Sequence, residues 1–170
     1  MAEHAMAGLI EAGSGPNLLF LHGWTMTGAV FANQIDLLQD RFHCFAPDLP
    51  GHGSMRRAMT ADIDGAVTDT KSLIETRIRG PVVIVGWSLG AMVAWHLLAR
   101  HRHLNVSALI TVDMSPKVVN DSNWTLGIRG FTAERNRQAC RAMETDWAAY
   151  VPRICKGLVA DASGPADFPG

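Results

Sequence analysis

One segment, VVIVGWSLGAMVAW, restricts the possible folds of this chain more than any other. A run of β-branched residues leads into Gly86, Ser88 and Gly90, and an apolar stretch of helical character follows at once. So direct a passage from strand to helix requires a tight turn with unfavourable backbone angles at the serine. Glycines on either side remove side chains where strand and helix approach too closely for a Cβ atom. The pattern therefore predicts a strand, turn and helix with Ser88 at its apex.

The position of Ser88 also favours a chemical role. Its hydroxyl projects above the sheet at the start of a helix, where unpaired N–H groups and the helix dipole stabilise developing negative charge. A chance match in a glycine-containing loop is the alternative, but the strand before the turn and the helix after it argue against that alternative. We therefore predict that Ser88 is a nucleophile.

Apolar strands and helices alternate along the first two thirds of the chain. Short apolar runs bounded by glycine and proline indicate strands buried on both faces, and longer runs at helical spacing indicate helices. The predicted strands are 17–21, 42–46, 81–86 and 108–113, and the predicted helices are 28–39, 61–78 and 89–100. This alternation predicts right-handed crossovers and a three-layer α/β fold, with a mostly parallel sheet covered by helices on both faces. The early GLIEA adds a predicted antiparallel edge strand.

The character of the sequence changes after Pro116. Residues 132–159 indicate amphipathic helices interrupted near Pro152, and the final DASGPADFPG is turn-like. We therefore divide the chain into an α/β core, residues 1–116, and a helical region, residues 117–170.

Composition excludes several classes of function. Lysine plus arginine number 15 against 16 acidic residues, so no overall field favours nucleic acid or an anionic membrane. The chain lacks an apolar run of the ~18 residues that a membrane span requires. Its three cysteines follow neither a disulfide framework nor a zinc-ligand spacing. These features predict a cytoplasmic protein with a small, neutral partner and no bound metal, and they leave the oligomeric state open.

Two further motifs occur at predicted strand ends: His22-Gly23-Trp24 after NLLFL, and DLPGHGS after residues 42–46. Together with GWSLG they resemble the α/β-hydrolase superfamily over about residues 8–120. The resemblance extends to its serine-nucleophile members, such as pimeloyl-carrier-protein methyl ester esterases, small carboxylesterases and cofactor-free haloperoxidases. The helical region after 117 resembles the start of the lid that this family inserts after its sixth strand.

The resemblance implies roles for several residues. In this architecture one oxyanion donor is the backbone N–H of the residue after the nucleophile, here Leu89, and the other comes from the earlier loop, here Trp24. Trp24 alternatively serves only for packing. His22 is a tempting base, but its place beside that loop favours a structural role. Gly23, Gly86 and Gly90 would support the site. The resemblance also makes Asp48, Gly51 and Gly53 turn formers and implies no organic cofactor.

The chain departs from the family pattern at the other catalytic residues. Family members place an acid and then a histidine after the nucleophile, at later strand ends. Every one of the seven histidines here lies at position 103 or earlier. His96 lies eight residues beyond Ser88 on the same predicted helix, about 12 Å along its axis, and cannot be the base. Asp113 ends the family's sixth strand and is a candidate acid, or else it braces the following loop.

The missing histidine predicts a C-terminally truncated chain. We expect an uncovered sheet edge, a tendency to associate and weak catalysis from residues 1–170 alone. Four residues of the helical region either line an acyl pocket or simply pack: Trp124, Phe131, Met143 and Trp147.

The leading hypothesis is a serine hydrolase that cleaves a carboxylic ester of a small or medium acyl group through an acyl-enzyme. An acyltransferase, a lactonase or a carbon–carbon hydrolase would use the same machinery. Epoxide hydrolases and dehalogenases of this fold show a similar pattern, but they have aspartate at the nucleophile position, where this chain has serine. A non-catalytic fragment or binding protein remains an alternative of another class, because the histidine is absent.

Overall fold

A five-stranded sheet forms the centre of the protein in the computed structural model, which describes residues 8–152. The strands are β1 (Leu9–Ala12), β2 (Asn17–Leu21), β3 (His43–Pro47), β4 (Val82–Trp87) and β5 (Val106–Val112). Their order in the sheet is β1-β3-β2-β4-β5. All neighbouring strands are parallel except β1, which pairs with β3 in the antiparallel sense. The predicted antiparallel edge strand is therefore confirmed.

Helices cover both faces of this sheet. The helices are α1 (Ala32–Leu38), α2 (Ile63–Thr76), α3 (Leu89–Arg100) and α4 (Ala133–Thr145), with short 3-10 helices at Gly28–Phe31 and Gly53–Met55. Successive residues of β2 point to opposite faces. Leu19 and Leu21 pack in one core with side chains of α2 and α3, while Leu18 and Phe20 pack in a second core with Phe31 and Ile35. The predicted three-layer α/β architecture is thus confirmed.

Several boundaries differ from the sequence-based prediction; β5, for example, spans Val106–Val112 and not 108–113, so Asp113 follows the strand. The predicted helix 28–39 begins as the 3-10 turn before α1. The helical segment after residue 132 is also interrupted at Asp146, because Asp146 adopts extended backbone angles and its carboxylate accepts the Ala149 N–H at 2.9 Å. That carboxylate caps a new helical turn, which runs from 147. The predicted interruption near Pro152 lies at the limit of the described residues and stays a prediction. The rest of the predicted 132–159 segment and the turn-like tail lie outside the described residues.

The chain divides into two compact units, Met1–Pro116 and Lys117–Gly170. In the second unit, the loop before α4 is organised by Asn120, whose amide nitrogen donates to the Ile128 carbonyl at 2.6 Å and whose oxygen accepts the Gly127 N–H at 2.9 Å. The Trp124 indole N–H donates to the Lys117 carbonyl at 2.8 Å. The interpretation of residues 117–170 as the start of a lid stays a prediction. Across residues 8–152, no helix has both the length and the apolar composition needed to cross a membrane.

Candidate active site

The strand register brings three sequence motifs to one edge of the sheet. Leu21 at the end of β2 lies opposite Gly86 of β4, and Trp87 at the end of β4 lies opposite Val112 of β5. The segments that follow these strands therefore emerge side by side at the carboxyl edge, where open α/β sheets bind their ligands. They contain His22-Gly23-Trp24, Ser88-Leu89 and Asp113 respectively.

Ser88 occupies a strained turn between β4 and α3. Its φ and ψ angles are 51° and −111°, outside the regions that non-glycine residues normally occupy. The Ser88 N–H donates to the Val112 carbonyl at 3.0 Å, and the Ser88 carbonyl accepts from the Ala91 N–H at 3.0 Å. Although Ser88 is the N-cap of α3, its side chain makes no capping hydrogen bond. The hydroxyl is therefore not committed to the helix end.

The two glycines that flank Ser88 have a steric role. A Cβ atom on Gly90 would lie 2.0 Å from the Leu21 carbonyl oxygen, and one on Gly86 would lie 2.7 Å from the Ala91 nitrogen. Both distances are far below van der Waals contact, and the opposing atoms belong to the backbone. The close packing of α3 against β2 and β4 thus requires glycine at both positions.

The loop after β2 passes directly beside Ser88. A Cβ atom on Gly23 would lie 3.5 Å from the Ser88 Cβ. The Met26 N–H donates to the Gly23 carbonyl at 3.2 Å, closing a turn in which Trp24 is 43% exposed. Leu89 begins α3, and its side chain packs against the core. The convergence of the Trp24 and Leu89 N–H groups on one oxyanion position stays a prediction.

His22 is completely buried, and both of its ring nitrogens have partners. Nε2 accepts the Leu49 N–H at 2.9 Å, so the proton lies on Nδ1, which donates to the Gly23 carbonyl at 2.8 Å. Burial lowers the pKa of His22, which favours the neutral ring that these bonds require. With Nε2 occupied, the ring is not free to accept a proton from Ser88. The contacts support the predicted structural role.

Backbone strain concentrates at the same edge. Within residues 8–152, three non-glycine residues have positive φ angles: Thr25 at 66°, Ser88 at 51° and Asp113 at 49°. Each follows a different parallel strand, and strain of this kind clusters at functional sites. The sequence indicated strain at Ser88 through its glycines, but no comparable glycine pattern marked Thr25 or Asp113.

Neither a triad acid nor a base is established among residues 8–152. Asp113 lies next to β5 and is exposed, so its role as the acid stays a prediction. In the part of the chain that the structure describes, no histidine ring is hydrogen-bonded to Ser88. The rings instead contact other groups: His43 contacts Glu11, His52 contacts the Pro50 carbonyl, His96 contacts Arg100, and His103 contacts Glu75. Nor do residues 8–152 place three histidine, cysteine or acidic side chains together as metal ligands.

Comparison with known proteins extends these observations. The family described as "alpha/beta hydrolase fold" matches residues 16–139. A pimeloyl-[acyl-carrier protein] methyl ester esterase of Chromobacterium violaceum is 41% identical over 112 residues, which are 66% of this chain and 42% of that protein. The chain thus spans less than half the length of this relative.

Solved structures show the same fold. An esterase from Exiguobacterium antarcticum superimposes with a TM-score of 0.75 at 22% identity, over 86% of this chain and 55% of its own. An epoxide hydrolase superimposes with a TM-score of 0.61 at 31% identity, over 71% of this chain and 42% of its own.

Proposed function

Because this chain belongs to the α/β-hydrolase family, we propose that it contributes the nucleophile and the oxyanion hole of a serine hydrolase. The substrate is a carboxylic ester of a small or medium acyl group. The observation that carries this proposal is the strained turn at Ser88, whose hydroxyl stands at the carboxyl edge of the sheet without capping the helix that it begins. A cytoplasmic location belongs to the same proposal.

In the proposed reaction the Ser88 oxygen attacks the ester carbonyl carbon and its proton passes to a general base. Negative charge develops on the carbonyl oxygen, which the N–H groups of Trp24 and Leu89 bind. Collapse of this intermediate breaks the bond to the alkoxy group, which leaves as the alcohol after it takes up the proton. Water then attacks the acyl-enzyme and releases the acid and Ser88. In this proposal the nucleophile and the donors come from residues 8–152, in which no histidine ring is hydrogen-bonded to Ser88.

Two features support an ester over other substrates. The Chromobacterium relative is named for a methyl ester, and the Exiguobacterium neighbour shares the fold and is named an esterase. An epoxide hydrolase also shares the fold. Epoxide hydrolases that resemble this pattern have aspartate at the nucleophile position, however, whereas this chain has Ser88 there. Acyltransfer, lactone opening and carbon–carbon cleavage remain alternatives, since they differ in the bond broken or in the group that reaches the acyl-enzyme.

One observation favours a second candidate, a protein that does not catalyse. No histidine among residues 8–152 contacts the Ser88 hydroxyl, and a serine without a base is a poor nucleophile. This candidate and the hydrolase differ in one measurable property, the reactivity of Ser88.

Labelling of the full-length protein with a fluorophosphonate probe tests the proposal. The wild-type protein should react and hydrolyse p-nitrophenyl esters, while Ser88→Ala should lose both properties. Ser72→Ala, which changes an exposed serine on α2, is the matched control and should retain them. Labelling that persists in Ser88→Ala would exclude Ser88 as the nucleophile, and a wild-type protein inert to the probe would favour the non-catalytic candidate.

A further inference from the structure

Two consecutive residues after β3 hold the two ends of the loop that follows β2. At the start of this loop, the Leu49 N–H donates to His22 Nε2 at 2.9 Å. At its end, the Gly28 N–H donates to Asp48 Oδ1 at 2.9 Å. Residues 23–27, which include Trp24, therefore form a short loop whose two flanking residues, His22 and Gly28, are hydrogen-bonded to Leu49 and Asp48. We call residues 23–27 the oxyanion loop.

The Asp48 carboxylate connects this loop to the turn beyond it. Its second oxygen, Oδ2, accepts the Ser54 N–H at 2.9 Å and the Ser54 hydroxyl at 3.0 Å. A Cβ atom on Gly53 would lie 2.2 Å from Oδ2, so the glycine lets the turn close on the carboxylate. Burial alone would raise the pKa of Asp48, but the bonds from Ser54 and Gly28 outweigh burial and lower it. The carboxylate is thus ionised at neutral pH, and its hydrogen bonds are of the stronger, charge-assisted kind.

The oxyanion loop needs such support because it is strained. Thr25 has a φ angle of 66°, which is unfavourable for a β-branched residue and persists only where the surroundings impose it. Within the loop, the Met26 N–H donates to the Gly23 carbonyl and closes a turn around Thr25. Release of the bond at Gly28 would free one end of the loop and allow Thr25 to relax.

We infer that Asp48 is a positioning residue, which places the Trp24 N–H by holding Gly28. This inference rests on the proposed function, in which that N–H binds the oxyanion. This role goes beyond the shaping of a turn, which is the role that the family resemblance implies for Asp48. The donor acts mainly on the transition state, so its displacement should lower kcat far more than it changes KM. Misplacement by about 1 Å can cost about 100-fold in rate.

Steady-state kinetics of the full-length protein with a p-nitrophenyl ester test this inference. In Asp48→Ala both carboxylate oxygens are lost, so neither the Gly28 N–H nor the Ser54 N–H keeps its acceptor. We expect kcat to fall by about 10- to 100-fold, with KM within about 3-fold of the wild-type value. Asp62→Ala is the matched control, because it removes a carboxylate that accepts the Gly65 N–H at 2.7 Å and caps α2. It should lower the melting temperature and leave kcat unchanged.

Amide hydrogen exchange provides a readout that does not depend on activity. Asp48→Ala should accelerate exchange in residues 23–28 relative to Asp62→Ala. A kcat within about 3-fold of wild type in Asp48→Ala, or unchanged exchange in the loop, would overturn the inference. If the wild-type protein neither hydrolyses esters nor reacts with a fluorophosphonate, the proposed function fails. Faster loop exchange in Asp48→Ala would even then support Asp48 as the residue that holds the loop, and unchanged exchange would overturn it.

Discussion

His22 illustrates how contacts determine the role of a single side chain. The ring accepts a hydrogen bond from Leu49 and donates one to Gly23, so it must be neutral with its proton on Nδ1. Burial is the main reason for its lowered pKa, to which the nearby His52 ring adds, while Asp48 and the bond to Gly23 act in the opposite direction. Protonation would place a hydrogen on Nε2 against the Leu49 N–H. The oxyanion loop therefore depends on a neutral imidazole.

This dependence predicts acid sensitivity. Because the pKa of His22 is lower in the folded than in the unfolded protein, the unfolded state binds more protons once the pH falls below the ordinary value of 6.5. The free energy of unfolding should decrease as the pH falls from there toward the folded-state pKa. Urea unfolding between about pH 7.5 and pH 5 should show a smaller decrease in His22→Gln than in the wild type. His96→Gln, an exposed control on α3, should retain the wild-type slope. Equal slopes in all three proteins would contradict the prediction.

The junction of β4 with α3 shows how one element positions another. Helix α3 starts so close to β2 that the Cα of Gly90 faces the Leu21 carbonyl without room for a methyl group. The first turn of α3 is thereby set against the strand end from which the oxyanion loop begins. The absence of a side chain at Gly90 thus allows Ser88 and the start of α3 to lie next to the loop that follows β2.

We predict that Gly90→Ala is strongly destabilising. Its Cβ would lie 2.0 Å from a backbone oxygen, so α3 must shift, and overpacking of this kind costs about 1–3 kcal/mol or more in the free energy of unfolding. Gly80→Ala is a suitable control, because nothing lies within 4 Å of its added Cβ and only its φ of +85° is unfavourable. That control should cost about 1 kcal/mol. Chemical denaturation compares the two variants, and equal losses would argue against a steric role for Gly90.

At the scale of the whole molecule, burial is uneven across the sheet. Every residue of β2 is buried, whereas most residues of β5 are exposed. Strand β5 lies at one end of the described strand order, and its apolar Ile110 and Val112 are 50% and 44% exposed. An apolar strand at a sheet edge exposes unpaired backbone groups and apolar surface, and both favour association with another chain.

Residues 1–170 expressed alone should therefore self-associate at micromolar concentration. Ile110→Thr keeps a β-branched residue in β5 but removes apolar surface, and it should shift the distribution toward monomer in analytical ultracentrifugation. Leu37→Thr removes an apolar side chain that is 81% exposed on α1, away from this strand, and it should have little effect. A wild-type chain that stays monomeric, or equal effects of the two substitutions, would refute the role of β5.

The sequence by itself determined the α/β architecture and the geometry around Ser88. Apolar runs bounded by glycine and proline marked β2, and helical spacing marked α3, since these signals lie within each segment. The glycines of GWSLG revealed the elbow because its steric requirement is local. Only the tertiary structure decided the bond from the Leu49 N–H to His22 and the bond between Asp48 and Gly28. These bonds join segments that are distant in the sequence, and local periodicity contains no information about such contacts.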